Sequence, residues 1–413
     1  SLSDGGPLER CALMQQLAIA LDRGGRGSRA ADVYLEAAQI AERDESVHLF
    51  RLATSHLLSS GRFEEGEALL APLLQALGHR LPTTTVGLLW AMLWERLKLS
   101  IRGLGYVARD ASQVPKEVLA RIDTFDALYL CTVSMHPLRA ALFMARSVRW
   151  ALDAGEPGRV LNALGQLWFS AALAGRGRAE RRVSELRARA RQLAETLATP
   201  AARARVCTTH AAASFMMGEY AEVLEASEEA ERLYRQDVTT QRDARYQMRL
   251  SVATCRIGAL YVVGNYRAFS EALHSTLVEA RAAEDIAAQL VFALNETLLD
   301  ELHGRGEAAV ERLEAQRAQL PKCGFGIYHG VHMVAVCIAA CASGRLAWGI
   351  GRLEEEWPRF VRSTVRHIPS IGTLVYYGRA RLLVSAWVAG TLSTPAAVRL
   401  TILRDCPELI ESQ

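Results

Sequence analysis

The stretch GRFEEGEALL, Gly61 to Leu70, sets a glycine two residues before an aromatic, five before a second glycine and nine before a leucine. Glycine ends a helix in a left-handed conformation that other residues resist. The aromatic at the second position can wedge into the turn. A small residue at the fifth lets a second helix approach the first closely, and the bulky residue at the ninth packs about a turn later. Such a stretch is the joint of an antiparallel helix pair.

The joint recurs along the chain. Gly25 is followed by Ala30 and Tyr34 at the same offsets, Gly304 by Ala309 and Leu313, and Gly344 by Leu346, Gly349 and Leu353. Two further segments fit in part: Gly264 keeps Tyr266 and Leu273 but carries Phe269 at the fifth position, and Gly218 has Tyr220 and then Val223. Spacings are 36 residues from Gly25 to Gly61, then 46, 40 and 40 from Gly218 to Gly344. Each pair leaves one face uncovered, so stacked neighbours complete the core. The pattern predicts an all-α fold, a right-handed superhelical array of antiparallel helix pairs like a divergent tetratricopeptide solenoid. A non-repetitive helical bundle is the alternative. Phe269 predicts a wider separation in its pair, or a shift of one residue.

The expected organisation is one continuous solenoid with helix-pair repeats over residues 1–78 and 159–413. Between them, residues 79–158 form an irregular helical junction, because the period is lost after Gly61. The junction holds VGLLWAMLWERLKLSIR, Val86 to Arg102. Its uncharged run stops at Trp94, far short of the ~20 apolar residues that span a membrane. Ala91, Glu95, Lys98 and Arg102 form a polar stripe opposite Val86, Leu89, Trp90, Leu93, Leu97 and Ile101. The expectation is an amphipathic helix whose apolar side fills the core, with docking to a partner as the alternative. A Gly103/Gly105 break, a helix starting at Pro115 and a His136-Pro137 turn between two helices complete the junction.

The 48 cations and 45 anions leave a formal charge of +3, too little to recruit nucleic acid or a membrane surface. The strongest basic segment, around Arg178, Arg181, Arg182 and Arg189, is interrupted by Glu180 and Glu185 and lacks stacking aromatics. Eight cysteines without a CxxC motif read as reduced packing residues of a cytoplasmic protein. The chain opens on Ser1 and reads as a piece of something longer.

Signatures of chemistry are missing. There is no kinase HRD or DFG, no phosphate-binding GxxxxGK[ST] and no HExxH. Cys337 and Cys341 share a helix face, but His329 and His332 lie off it, so one helix cannot close a tetrahedral metal site. Cys207 and His210 stand three apart and read as packing residues rather than a nucleophile and its base. No catalytic, cofactor or metal site is expected.

The succession SSGRFEEGEALLAPLLQALGHRLP, LLWAMLWERLKLSIRGLGY, VPKEVLARIDTF and MHPLRAALFMARSVRWALDAGEP resembles the C-terminal region of certain large bacterial serine/threonine protein kinases. In those proteins a kinase domain is followed by an NTPase domain of the AAA/STAND type and then by helical repeats. The resemblance is closest over residues 49–185 and looser beyond, and no residue here matches a catalytic motif of that family. It implies a non-catalytic regulatory arm that binds a protein or peptide partner, or the upstream kinase and NTPase domains. The alternative is the inducer-binding arm of a STAND-type transcription activator, although no helix-turn-helix follows Thr394.

In a stack of helix pairs the first helices line a concave groove. The glycine alignment places His48, Arg51, Arg205, Tyr261, Glu301 and Tyr377 on that lining, a mixture of aromatic and charged groups suited to a peptide or a neighbouring domain.

Overall fold

A computed structural model describes residues 7–173, 180–236 and 242–392. Residues 175–179 of the basic segment, Cys406 and the helix expected after Pro395 lie outside them. Among the described residues the fold is all-helical, with eighteen α-helices, two short 3-10 turns and no strand.

The helices divide between two compact units. The first runs to Asp285, less the turn Ser134–Pro137; the second comprises that turn and the residues from Ile286 on. In the first unit lie α1 (Pro7–Arg23), α2 (Gly27–Ile40), α3 (Arg43–Ser59), α4 (Phe63–Ala76), α5 (Thr85–Arg102), α6 (Lys116–Thr132) and α7 (Pro137–Ala154). They are followed by α8 (Pro157–Ala172), α9 (Glu180–Leu197), α10 (Pro200–Met217), α11 (Tyr220–Gln236), α12 (Arg242–Val262) and α13 (Tyr266–Ala282). The second unit holds α14 (Ile286–Leu302), α15 (Gly306–Arg317), α16 (Ile327–Ser343), α17 (Leu346–Arg362) and α18 (Pro369–Val388).

The joints form as their residues dictate. Gly25, Gly61, Gly218, Gly264, Gly304 and Gly344 all have φ between 67° and 83°. The residues five and nine places beyond each of them are buried without exception, Phe269 and Ser227 included. The small residue at the fifth position is a steric requirement: a Cβ on Gly66 would lie 2.6 Å from Leu58, and one on Gly349 would lie 2.4 Å from Ala340. Phe269 keeps its register and packs on Tyr261 of its own pair, with ring centroids 5.4 Å apart.

Within the first unit α3 packs on α6, α8 on α10, and α10 on α12. Close approach is again bought with small side chains, since a Cβ on Gly165 would meet Thr209 at 2.9 Å and one on Gly258 would meet Phe215 at 2.8 Å. Within the second unit α14, α16 and α18 pack in succession. Adjacent helices thus pack as in a helical repeat array. The largest core of the first unit gathers Phe125, Phe143, Trp150 and Trp168; the main core of the second gathers Leu353, Phe360, Val365 and Leu382.

Candidate functional site

Helix α5 begins where Thr84 caps it, its hydroxyl accepting the Gly87 N–H at 3.1 Å, and stops at Gly103. The amphipathic pattern is present, but its orientation corrects the expectation that the apolar side is core. Trp90 is 70% exposed, Trp94 57% and Ile101 79%, and Val86, Leu89, Leu93 and Leu97 are exposed with them. Facing inward instead are Leu88 and Glu95, the latter only 6% exposed. The helix wears its apolar side outward.

The reason lies on α7. Arg149 Nε donates to Glu95 Oε2 at 2.9 Å, Arg146 Nε stands 3.8 Å from Oε1, and Lys98 Nζ donates to Oε1 at 3.3 Å. Farther along, Arg102 Nε reaches Asp153 Oδ1 at 2.5 Å, while its Nη1 donates to the carbonyls of Gly103 and Gly105. Buried cations need a carboxylate more than the core needs another leucine. The inward side also keeps enough apolar surface, through Leu88 and Leu99, to seat the helix.

Behind this contact stands an aromatic wall. The Trp150 ring lies 4.9 Å from Phe125 and 5.0 Å from His79, and the Arg121 guanidinium sits 4.7 Å over it. Burial, then Arg146 and Arg121, lower the His79 imidazole below its usual range; burial also depresses Arg146. Sequence reading missed this platform, although ARSVRW on α7 places Arg146 and Arg149 one turn apart.

A polar seam runs along the stacked first helices of the same unit and gathers three of the six expected groove residues. On α3, Arg51 bonds His48 Nδ1 at 3.1 Å, with Asp123 of α6 in electrostatic reach of the ring. Arg159 of α8 grips both oxygens of Asp123, at 2.8 and 2.6 Å. Asp126 accepts from Asn162 at 2.5 Å, from Gln166 at 3.1 Å and from Ser147, and Arg205 of α10 donates to Asn162 at 2.7 Å. Desolvation raises the Asp126 carboxyl even though the side chain keeps some accessible surface, and those hydrogen bonds and Arg205 oppose the shift. Neighbouring Tyr129 is pushed up to about 12 by burial and by that carboxylate.

The other three residues lie elsewhere. Glu301 of α14 pairs with Arg381 of α18 at 2.8 Å, and exposed Tyr377 is in electrostatic reach of the same guanidinium. Tyr261 turns toward its own pair, between Tyr266 and Phe269.

The histidines and cysteines are held as packing groups. His332 Nε2 lies 3.0 Å from the Leu313 carbonyl, and His329 Nδ1 accepts the Gly326 N–H at 3.2 Å. Burial pushes the Cys337 and Cys207 thiols up, away from the reactive thiolate. His210, lowered by burial, bonds Glu222 at 2.7 Å rather than any nucleophile. Among the described residues no group of three or more histidine, cysteine or acidic side chains could hold a metal ion.

His329 supplies a testable pH dependence. Burial, with Arg359 nearby, lowers its imidazole to about 4, whereas the unfolded chain takes up the proton near pH 6.5. Between those values the unfolded state binds more protons, so stability falls as pH falls through that window and levels off below it. The group's contribution is about 3 kcal/mol. Urea midpoints of the wild type and His329→Asn at pH 7, 6, 5 and 4 should converge toward acid.

Among the described residues no helix is long and apolar enough to cross a membrane. Comparison with known protein families and with curated proteins finds no match to the chain.

Proposed function

We propose that the chain is a non-catalytic protein-interaction module, the regulatory arm of a signalling protein, and that its partner docks on α5. One observation carries this reading: seven large apolar side chains, two of them tryptophans, stand exposed along one side of a helix whose polar side is committed to α7. A contiguous apolar face of that extent marks an interaction surface, and tryptophan is the commonest anchor of such surfaces.

The kinase resemblance supplies the context. In it the partner is a separate protein or the kinase and NTPase domains upstream, and the polar seam of His48, Arg51 and Arg205 offers a second contact on the groove side. A coiled, superhelical stack belongs to the same proposal. Its support is that a Cβ on Gly25 would lie 2.0 Å from the Ala282 carbonyl. With helices ~10 Å apart, five steps of a straight stack would hold those positions ~50 Å apart.

The test uses a photo-crosslinking residue at Leu93 and, in a second variant, at Arg51, in the full chain exposed to host lysate. A defined protein adduct at Leu93, lost on adding Trp90→Ala, is the expected outcome; adducts at neither position would sink the reading. Trp90→Ala should itself change stability by less than about 0.5 kcal/mol, because the ring is exposed, while weakening the partner about 30-fold as a central anchor does. Urea melts and titration of the captured partner measure the two effects.

A further inference from the structure

We infer that the occupant of α5 is an amphipathic helix whose apolar stripe is bordered by acidic residues, an inference that rests on the docking reading above. Shape argues for a helix. Leu89, Leu93, Leu97 and Ile101 form one ridge at intervals of four, and Val86, Trp90 and Trp94 form a second beside it. The groove between two such ridges accepts the ridge of another helix crossing at about 50°. The exposed face approaches the ~800 Å² that one partner brings to a standard interface.

Charge argues for acid. On the helical wheel Arg96, exposed, borders the stripe on one side and Lys98 borders it on the other, its ammonium 5.4 Å from the Trp94 ring. The one carboxylate of α5, Glu95, points the opposite way and is already shared by Lys98, Arg146 and Arg149. Lys98, Arg102, Arg146 and Arg149 share two carboxylates, Glu95 and Asp153. Arg146 Nη1, buried, has no hydrogen-bond partner. An approaching surface with carboxylates at both borders complements Arg96 and Lys98, and like-charge approach is repelled.

The same charges disfavour two other occupants. A second copy of the chain would set Arg96 and Lys98 against their own equivalents. An anionic lipid surface is recognised by clusters of four to eight cations, or by an amphipathic helix with a cation-rich polar face. Here the polar side of α5 is ion-paired with α7, and two cations border the stripe.

The experiment is a display selection on the wild-type chain. The library is of 20-residue helical peptides with a fixed leucine stripe and border positions drawn from Glu, Lys, Gln and Ser, counter-selected on Trp90→Ala. Glutamate should exceed lysine at the borders by about fivefold per position, the ratio that ~1 kcal/mol per exposed pair gives. Selection on Arg96→Glu should erase or reverse that preference on its side of the stripe. Trp90-dependent peptides without a glutamate preference would overturn the acidic assignment and leave the docking reading standing. A Leu93→Glu-sensitive dimer in light scattering would replace the occupant by a second copy, and Trp90-dependent binding to phosphatidylcholine–phosphatidylglycerol vesicles would replace it by lipid. If peptides, vesicles and self-association all fail to engage α5, the docking reading itself fails.

Discussion

Gly155→Ala should lower the stability of the folded chain by about 3 kcal/mol and unfasten the segment that follows α5. Gly155 ends α7 at φ 74°, and a Cβ there would lie 1.9 Å from the Val107 carbonyl oxygen. Its own carbonyl accepts the Arg109 N–H at 3.0 Å. The α7–α8 turn therefore clamps residues 107–109, the strap leaving the C-terminal end of α5. Alanine adds the left-handed penalty of about 1 kcal/mol and a contact that only displacement of that strap can relieve. Gly264→Ala is the matched control: φ is 77° and nothing lies within 4 Å of its Cβ, so the left-handed penalty alone applies. Urea midpoints of the two variants should differ by about 2 kcal/mol, and equal values would deny the clamp.

Glu95→Gln should cost about 3 kcal/mol, the range for removing one partner of a buried ion pair. The carboxylate is nearly inaccessible and answers Arg146, Arg149 and Lys98 together. Glutamine keeps the shape and one acceptor but leaves the guanidinium charges without a counter-charge in a partly dry site. For contrast, Glu185→Gln breaks exposed pairs with Arg182 and Arg189 and should cost less than 1 kcal/mol. Denaturant midpoints at low salt measure both. A Glu95 variant as stable as the wild type would mean that this carboxylate does not hold α5 in place.

The joints were visible in sequence because a left-handed turn followed by close helix approach demands particular residues at fixed offsets. A turn without glycine carries no such mark. Ala198 before α10 and Glu284 before α14 both have positive φ, 51° and 50°. The second of these stands one residue before the division between the units, inside RAAEDIAAQL, which holds no glycine or proline. The orientation of α5 was hidden for another reason. Both of its sides are seen in the periodicity, but which one turns inward is decided by Arg146 and Arg149, some fifty residues away on α7. Apolar-side-in is a rule about a helix lying on an apolar surface, and here the surface is cationic. The polar seam was half visible for the same reason: the offsets placed His48, Arg51 and Arg205, whereas Asp123, Asp126 and Asn162 acquire their meaning only when α6, α8 and α10 stack. Half-buried Tyr261 sets its ring against Tyr266 and Phe269 of its own pair, a contact set by helical phase, in which one residue turns a side chain by about 100°.

The orientation of α5 is the central claim, and thiol accessibility tests it most directly. Leu97→Cys and Leu88→Cys sit on opposite sides of the helix, the first exposed and the second buried. Each variant is reacted with a thiol-specific reagent under native conditions, with the wild-type cysteines as background. The Leu97→Cys chain should gain one thiol that reacts at the rate of a free cysteine, and the Leu88→Cys chain should gain none until it is unfolded. A protected cysteine at 97 together with a reactive one at 88 would place the apolar side inward and remove the docking surface.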